Sequence, residues 1–168
     1  MKTLTLVRHA KSSWKDRRLS DRDRPLNKRG ERDAPIMCKR IVEAGVRPSQ
    51  IISSPAVRAW ATAKVFAKIL NYPIEFLQRE DGLYLASLDN LLDVVATQDP
   101  AFNNLMLFAH NPGLTDFANY LVPGLTGNLP TAGVVSVTLE SDDWLLYDRP
   151  PAELLVYDYP KAINTRGH

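Results

Sequence analysis

Two histidines in this chain each follow a short apolar run: His9 closes TLTLVRH and His110 closes NLMLFAH. Arg8 precedes the first, and a second arginine, Arg58, follows the turn signal of SSPAVR. Two imidazoles and two guanidiniums are poor partners for one another, because buried cations repel and each must be paired or hydrated. Around a phosphoryl group the same four are complementary. A guanidinium forms bidentate hydrogen bonds to phosphate oxygens and keeps its charge at every physiological pH. An unprotonated imidazole nitrogen is a nucleophile near neutrality, so one histidine is able to accept the phosphoryl group covalently. The second, if protonated, offsets charge on the equatorial oxygens during transfer. Ser12 and Ser13 offer further donors, and Ser54-Pro55 brings the positive end of a helix close by.

Such chemistry requires elements that deliver these side chains to one place. Leu4 to Val7 reads as a buried strand, and Asn27 as the cap of a helix that runs to Gly45 with Ala34, Met37, Ile41 and Ala44 on its inner stripe. Pro35 predicts a kink or a fresh start in that helix. Gln50 to Ser54 is a second strand, followed by a helix from Pro55 to about Leu70 with Val57, Ala61, Val65 and Ile69 inward. A third strand is expected over Ile74 to Leu77, and a helix over Ser87 to Thr97 with Leu88, Leu91, Leu92 and Val95 inward. Asn104 to His110 is a fourth strand, Leu114 to Leu121 a helix, and VVSVTL and ELLVYDY two final strands. This alternation predicts an α/β fold, a three-layer αβα architecture with a mainly parallel central sheet. In such sheets ligands collect at the carboxyl ends of strands. The breaks after Val7, Ile52 and Ala109 deliver Arg8 and His9, Arg58, and His110 to that edge.

At 168 residues and 45% hydrophobic content, the chain is read as one domain over 1–168. The net charge of +2 is unevenly spread, since the stretch from Lys11 to Arg32 holds nine Lys or Arg against four Asp or Glu. That segment draws an anionic substrate or an acidic partner toward the pocket, or is a solvated loop. Nucleic acid is not expected: Trp14 is the only aromatic platform there, and no groove-binding motif is present. No apolar window approaches a membrane span or a signal peptide. The single cysteine, Cys38, reads as a small core residue compatible with a reducing compartment, so a soluble, cytoplasmic protein is expected. His168, terminal, is expected to be disordered.

LVRHAKSSW, SSPAVRAWATA and FAHNPG, in that order, together with DRDRPLNKRGERDA between the first two, resemble the histidine phosphatase, or phosphoglycerate mutase-like, superfamily and within it the SixA-type phosphohistidine phosphatases. The resemblance implies a phosphoglycerate mutase-like fold in which His9 is transiently phosphorylated. Arg8 and Arg58 would bind phosphate, with Ser12 a further candidate, and His110 would complete the pocket. It implies no metal and no organic cofactor, and neither pocket histidine has an HxH or HExxH neighbour. Many members continue the first motif with Gly and an acidic residue, where this chain has Ala10 and Lys11. Members that cleave phosphate esters take a general acid from the segment after the third strand, for which Glu80 and Asp81 are the candidates. Phosphohistidine lessens that need, because imidazole departs more readily than an alkoxide.

Bland readings stand beside these. Arg8 could pair with Asp21 or Asp23, His9 could be a hydrogen-bonded structural histidine, and Arg58 could be a solvated helix residue. Ser12 and Ser13 could be loop serines, and Glu80 and Asp81 solvated turn residues. The expected substrate is phosphohistidine in a protein, with small phosphate esters as the alternative. A mutase needs insertions for which the chain has little room, and a phosphate-reading module without turnover would not need His9. The expected pH profile has one limb for neutral His9 and another for charged His110.

Overall fold

The computed structural model describes residues 1–162, so the expectation for His168 lies outside the described residues. Six strands form one sheet: β1 (Lys2–Arg8), β2 (Gln50–Ser53), β3 (Gln78–Arg79), β4 (Asn104–Ala109), β5 (Val134–Leu139) and β6 (Ala152–Asp158). Four helices accompany them: α1 (Lys28–Glu43), α2 (Val57–Ile69), α3 (Leu88–Ala96) and α4 (Gly113–Leu121). The order across the sheet is β3-β2-β4-β1-β5-β6. β3, β2, β4 and β1 run parallel, whereas β5 is antiparallel to β1 and to β6. The sheet is therefore mixed but mostly parallel, in line with the sequence reading.

The chain winds from β1 out to the β3 edge and then returns through β4 to β5. Because crossovers keep one hand, reversal of direction puts the second pair of helices on the opposite face. Side chains of each strand alternate accordingly. Leu105, Leu107 and Ala109 of β4 join Leu4 and Leu6 in a core shared with α3 and α4. Met106 and Phe108 join Val7 and Ile51 in a second core under α1 and α2, where Cys38 is also buried. Strands buried on both faces explain why β1 and β4 read as near-continuous apolar runs.

Local chemistry sets the helix ends. The Asn27 side chain accepts a hydrogen bond from Gly30 N at 2.8 Å, and Gly45, at φ +88°, terminates α1 in a conformation glycine adopts freely. Pro35 does not break α1, which is continuous around it. The carbonyl that loses its partner belongs to Glu31, which is exposed and open to water. Ala44, expected on the inner stripe, is exposed at the C-cap.

Two expectations fail more clearly. Ile74–Phe76 is a 3-10 turn and not a strand, with Ile74 44% and Phe76 62% exposed, and only Gln78–Arg79 pairs with β2. Pro73 sits at the start of this turn, and Leu77 is the residue of the stretch that turns inward. In α2 the buried face is Arg58, Ala59, Thr62, Ala63, Phe66 and Ala67, and Val57 is exposed. Ala59, Ala63 and Ala67 let the helix lie close on the sheet, and the bulkier Val65 and Ile69 pack at its flanks. The true face is the one that carries Arg58.

Candidate active site

Register aligns the site. Arg8 pairs with Ala109 and Ser53 with Phe108, so the residues that follow each strand emerge side by side: His9, Ser54 and His110. The first residues past the strands hold the rim together, with His9 N bonded to Ala109 O at 3.3 Å and Ser54 N to Phe108 O at 2.9 Å. Past Ala10 the loop folds back on itself through a Ser12–Leu26 bridge and a 2.8 Å bond from Ser13 N to Pro25 O. This fold-back carries Asp21 and Arg24 to the same rim.

A cleft of about 230 Å³ results, lined by Arg8, His9, Ser12, Arg58 and His110, with Arg24 beside them. All four central residues of the sequence reading, and Ser12, thus meet in one place. His9 is 7% exposed, and its Nδ1 lies 2.8 Å from Ala10 O. A carbonyl accepts only from N–H, so the proton sits on Nδ1 and the lone pair is on Nε2. Arg58 Nε donates to that Nε2 at 3.3 Å. The same guanidinium reaches His110 Nδ1 at 3.4 Å through Nη2, while His110 Nε2 stands 2.7 Å from Ser54 Oγ. With Nδ1 accepting from Arg58, His110 donates its Nε2 proton to Ser54, and both rings are neutral in this arrangement.

Asp21 is the hub that sequence reasoning missed. It does not pair with Arg8, as the bland reading had it. Its Oδ2 accepts from Arg58 Nη2 at 3.0 Å and from Tyr84 Oη at 2.6 Å, and its Oδ1 accepts from Arg24 at 3.1 Å. Burial pushes the pKa of this carboxyl up, but the Tyr84, Arg58 and Arg24 hydrogen bonds outweigh it and hold the group well below the ordinary carboxylate range. Arg24 in turn donates to Ser12 Oγ at 2.7 Å, so Ser12 serves the cleft through that arginine. Ser13 is spent on Lys15 N within its own loop.

Arg8 donates through Nη1 to Leu129 O at 2.9 Å, and its Nε is buried with no hydrogen-bond partner among the described residues. Burial first, and then the charge of Arg58, push its guanidinium below the usual arginine value. That cost is of a kind an anion in the cleft offsets. Asn111 fastens the same corner: its Nδ2 donates to Leu129 O at 2.9 Å while its Oδ1 accepts from Thr115 N at 3.2 Å, which caps α4. The motif HNPG was legible, but the capping work of its asparagine was not. Gly113 explains the motif's last position, because a Cβ there would stand 2.0 Å from Ala86 O. Gly113→Ala is expected to destabilise the protein by about 1–3 kcal/mol, as overpacked sites do, measured by urea unfolding.

The acid candidates lie elsewhere. Glu80 caps a 3-10 turn, its Oε1 accepting from Gly82 N at 3.2 Å. Asp81 has an 85% exposed side chain paired with Arg22 at 3.4 Å. Neither lines the cleft, whose nearest lining residue from that segment is Leu85.

Burial, above all, pushes His9 down to about 3, with the charges of His110, Arg58 and Arg8 adding to it against the Ala10 hydrogen bond. Burial and then Arg58 push His110 down to about 3 as well, against the pull of Asp21. The consequence for stability has a definite sign. Each ring is neutral when folded but takes a proton near 6.5 when unfolded, so stability is highest above that value and falls as pH drops toward 3. The loss is up to about 1.4 kcal/mol per pH unit per histidine, read from denaturant midpoints at pH 7, 6 and 5. In the ligand-free protein this also moves the expected His9 limb of a pH profile well below the ordinary imidazole range.

An uncharacterised chloroplastic protein of Arabidopsis thaliana is 30% identical over 151 residues, which is 84% of this chain and 68% of the relative. The structure described as a phosphohistidine phosphatase SixA from Agrobacterium tumefaciens superposes with a TM-score of 0.79 at 25% identity, over 95% of this chain and 98% of that one. A protein histidine phosphatase SixA complexed with tungstate gives 0.76 at 21% identity, over 94% and 97% of the two chains, a likeness of fold. The described residues contain no helix long and apolar enough to cross a membrane. Residues 4–100 match the histidine phosphatase superfamily (branch 1), and the chain belongs to that family.

Proposed function

We propose that this protein is a metal-independent phosphohistidine phosphatase, working as one cytoplasmic catalytic domain through a covalent phosphoryl-His9 intermediate. The observation that carries the reading is the lone pair of His9, fixed on Nε2 by the Nδ1 bond to Ala10 O and held beside Arg58 inside a cationic cleft.

In the first step this lone pair forms a bond to phosphorus as the bond to the departing imidazole nitrogen breaks. The departing ring already carries a proton on its other nitrogen and leaves neutral. His9 keeps its Nδ1 proton, and the Ala10 carbonyl stabilises the positive charge that the phosphorylated ring acquires. Arg8 and Arg58 hold the phosphoryl oxygens. A phosphoryl dianion in the cleft favours protonated His110: the added proton goes to Nδ1, Nε2–H stays on Ser54, and the imidazolium charge offsets the charge that develops on the phosphoryl oxygens. Water attacks phosphorus in the second step, which releases phosphate and returns the neutral ring.

Preference for a phosphorus–nitrogen bond rests on what the cleft lacks. Among the described residues, none that lines it is Asp or Glu. The carboxylate that touches the site, Asp21, is too strongly acidic to protonate an alkoxide near neutral pH. An imidazole needs no such donor. The test is a panel of phosphohistidine peptide, phosphoserine peptide and sugar phosphates, assayed in EDTA. The phosphohistidine peptide is expected to have the highest kcat/KM; a higher value for an ester overturns the preference, and dependence on added metal overturns the charge assignment.

A further inference from the structure

Two side chains on the cleft break ordinary rules of exposure. Trp14 is 71% exposed and Leu85 is 56% exposed, yet both line the same cleft as His9 and come from different loops. Leu85 also has φ +48°, a left-handed conformation that a bulky residue adopts at a cost and keeps only when its surroundings enforce it. Trp14 is equally constrained. The Arg24 guanidinium stacks 3.5 Å from the centre of its ring. Arg24 is held by Ser12 and by Asp21, the residue that also orients Arg58. An exposed indole fixed on one face by a buried arginine presents its other face as a rigid apolar wall.

We infer that Trp14 and Leu85 form the subsite for the leaving group and select substrates in which a planar ring is attached to phosphorus. The inference rests on the phosphohistidine reading and adds where the departing imidazole sits. The phosphoryl group occupies the polar floor among Arg8, His9, Arg58 and His110, and the ring it leaves behind occupies the apolar mouth. Stacking on Trp14 and contact with Leu85 place the scissile bond in line with His9 Nε2. Coupling through Arg24 and Asp21 fixes the wall relative to the guanidinium that grips phosphate. Sugar and glycerol phosphates present hydroxyl groups to the same apolar mouth and lose water there without compensation.

Free phosphohistidine and phosphoramidate test this directly, because both break a phosphorus–nitrogen bond and only the first has a ring. In Trp14→Ala, kcat/KM for phosphohistidine is expected to fall about tenfold while that for phosphoramidate stays within about twofold, and Trp14→Phe recovers most of the loss. Leu85→Gly is expected to lower the same ratio without lowering Tm, since it also relieves the left-handed strain. Inhibition by tungstate, unchanged in both variants, reports that the phosphate floor is intact. An equal loss on both substrates overturns the subsite and makes Trp14 a positioning residue for Arg24. A wild-type protein that hydrolyses phosphoramidate but gains nothing from the ring removes the subsite alone, whereas one that hydrolyses neither removes the phosphatase reading and the subsite together.

Discussion

His9→Ala is expected to lower phosphohistidine hydrolysis by about 10⁴-fold or more, with no recovery at higher substrate concentration. The size follows from the geometry. Among the described residues that line the cleft the other imidazole is His110, and its Nε2 carries the proton it donates to Ser54, so that nitrogen has no lone pair with which to attack. The floor of the cleft survives the change, so tungstate or phosphate still binds. Steady-state assay of kcat together with competitive inhibition by tungstate separates loss of chemistry from loss of fold. Full activity in this variant contradicts the assignment of the nucleophile.

Arg58→Ala is expected to cost about 10³-fold in kcat/KM, the order found when a cationic group that stabilises transferring phosphate is removed. Binding and turnover both suffer. Arg58 is 2% exposed and serves four acceptors: His9 Nε2, His110 Nδ1, and the carbonyl and carboxylate of Asp21. Without it Asp21 keeps Tyr84 and Arg24 but becomes a poorly compensated negative charge beside an anionic substrate. The double variant Asp21→Asn with Arg58→Ala is therefore expected to be less impaired than the two single losses combined, as coupled neighbours are. Arg58→Lys does not restore the site, since a single ammonium cannot span both imidazoles and the carboxylate.

Much of this was legible in the chain. The β1 and β4 runs announce themselves because strands covered on both faces need continuous apolar character, and each ends where the polar chemistry begins. Arg58 was legible from SSPAVR, although its helix was read one face out of register. Val outranks Ala in apolarity, so the stripe through Val57 and Val65 looked more buried than the alanine face that meets the sheet. The 74–77 stretch misled for a related reason: Ile74 and Phe76 have strand-like character, but Pro73 starts a turn and the apolar groups stay at the surface. Asp21, Arg24, Tyr84 and Trp14 were beyond local pattern. Their roles depend on a loop folding back across some fifteen residues and meeting a second loop from the far side of β3, and a charged stretch such as DRDRPLN reads the same whether solvated or clasped. The acid candidates, Glu80 and Asp81, lie outside the cleft lining: the sequence points to a segment, and the stretch after the turn at Asp81–Leu83 presents Leu85, not a carboxylate, to the cleft.

In the proposed mechanism the phosphoryl group passes to His9 and then to water. Turnover of a phosphohistidine peptide, stopped by alkali, which preserves phosphohistidine, and followed by mass spectrometry of the digested protein, tests it most directly. One phosphoryl group on the peptide that contains His9, appearing within the first turnover and absent from His9→Ala, is the result expected. Rapid hydrolysis with the phosphoryl group on another residue, or with no labelled protein at any quench time, contradicts the account.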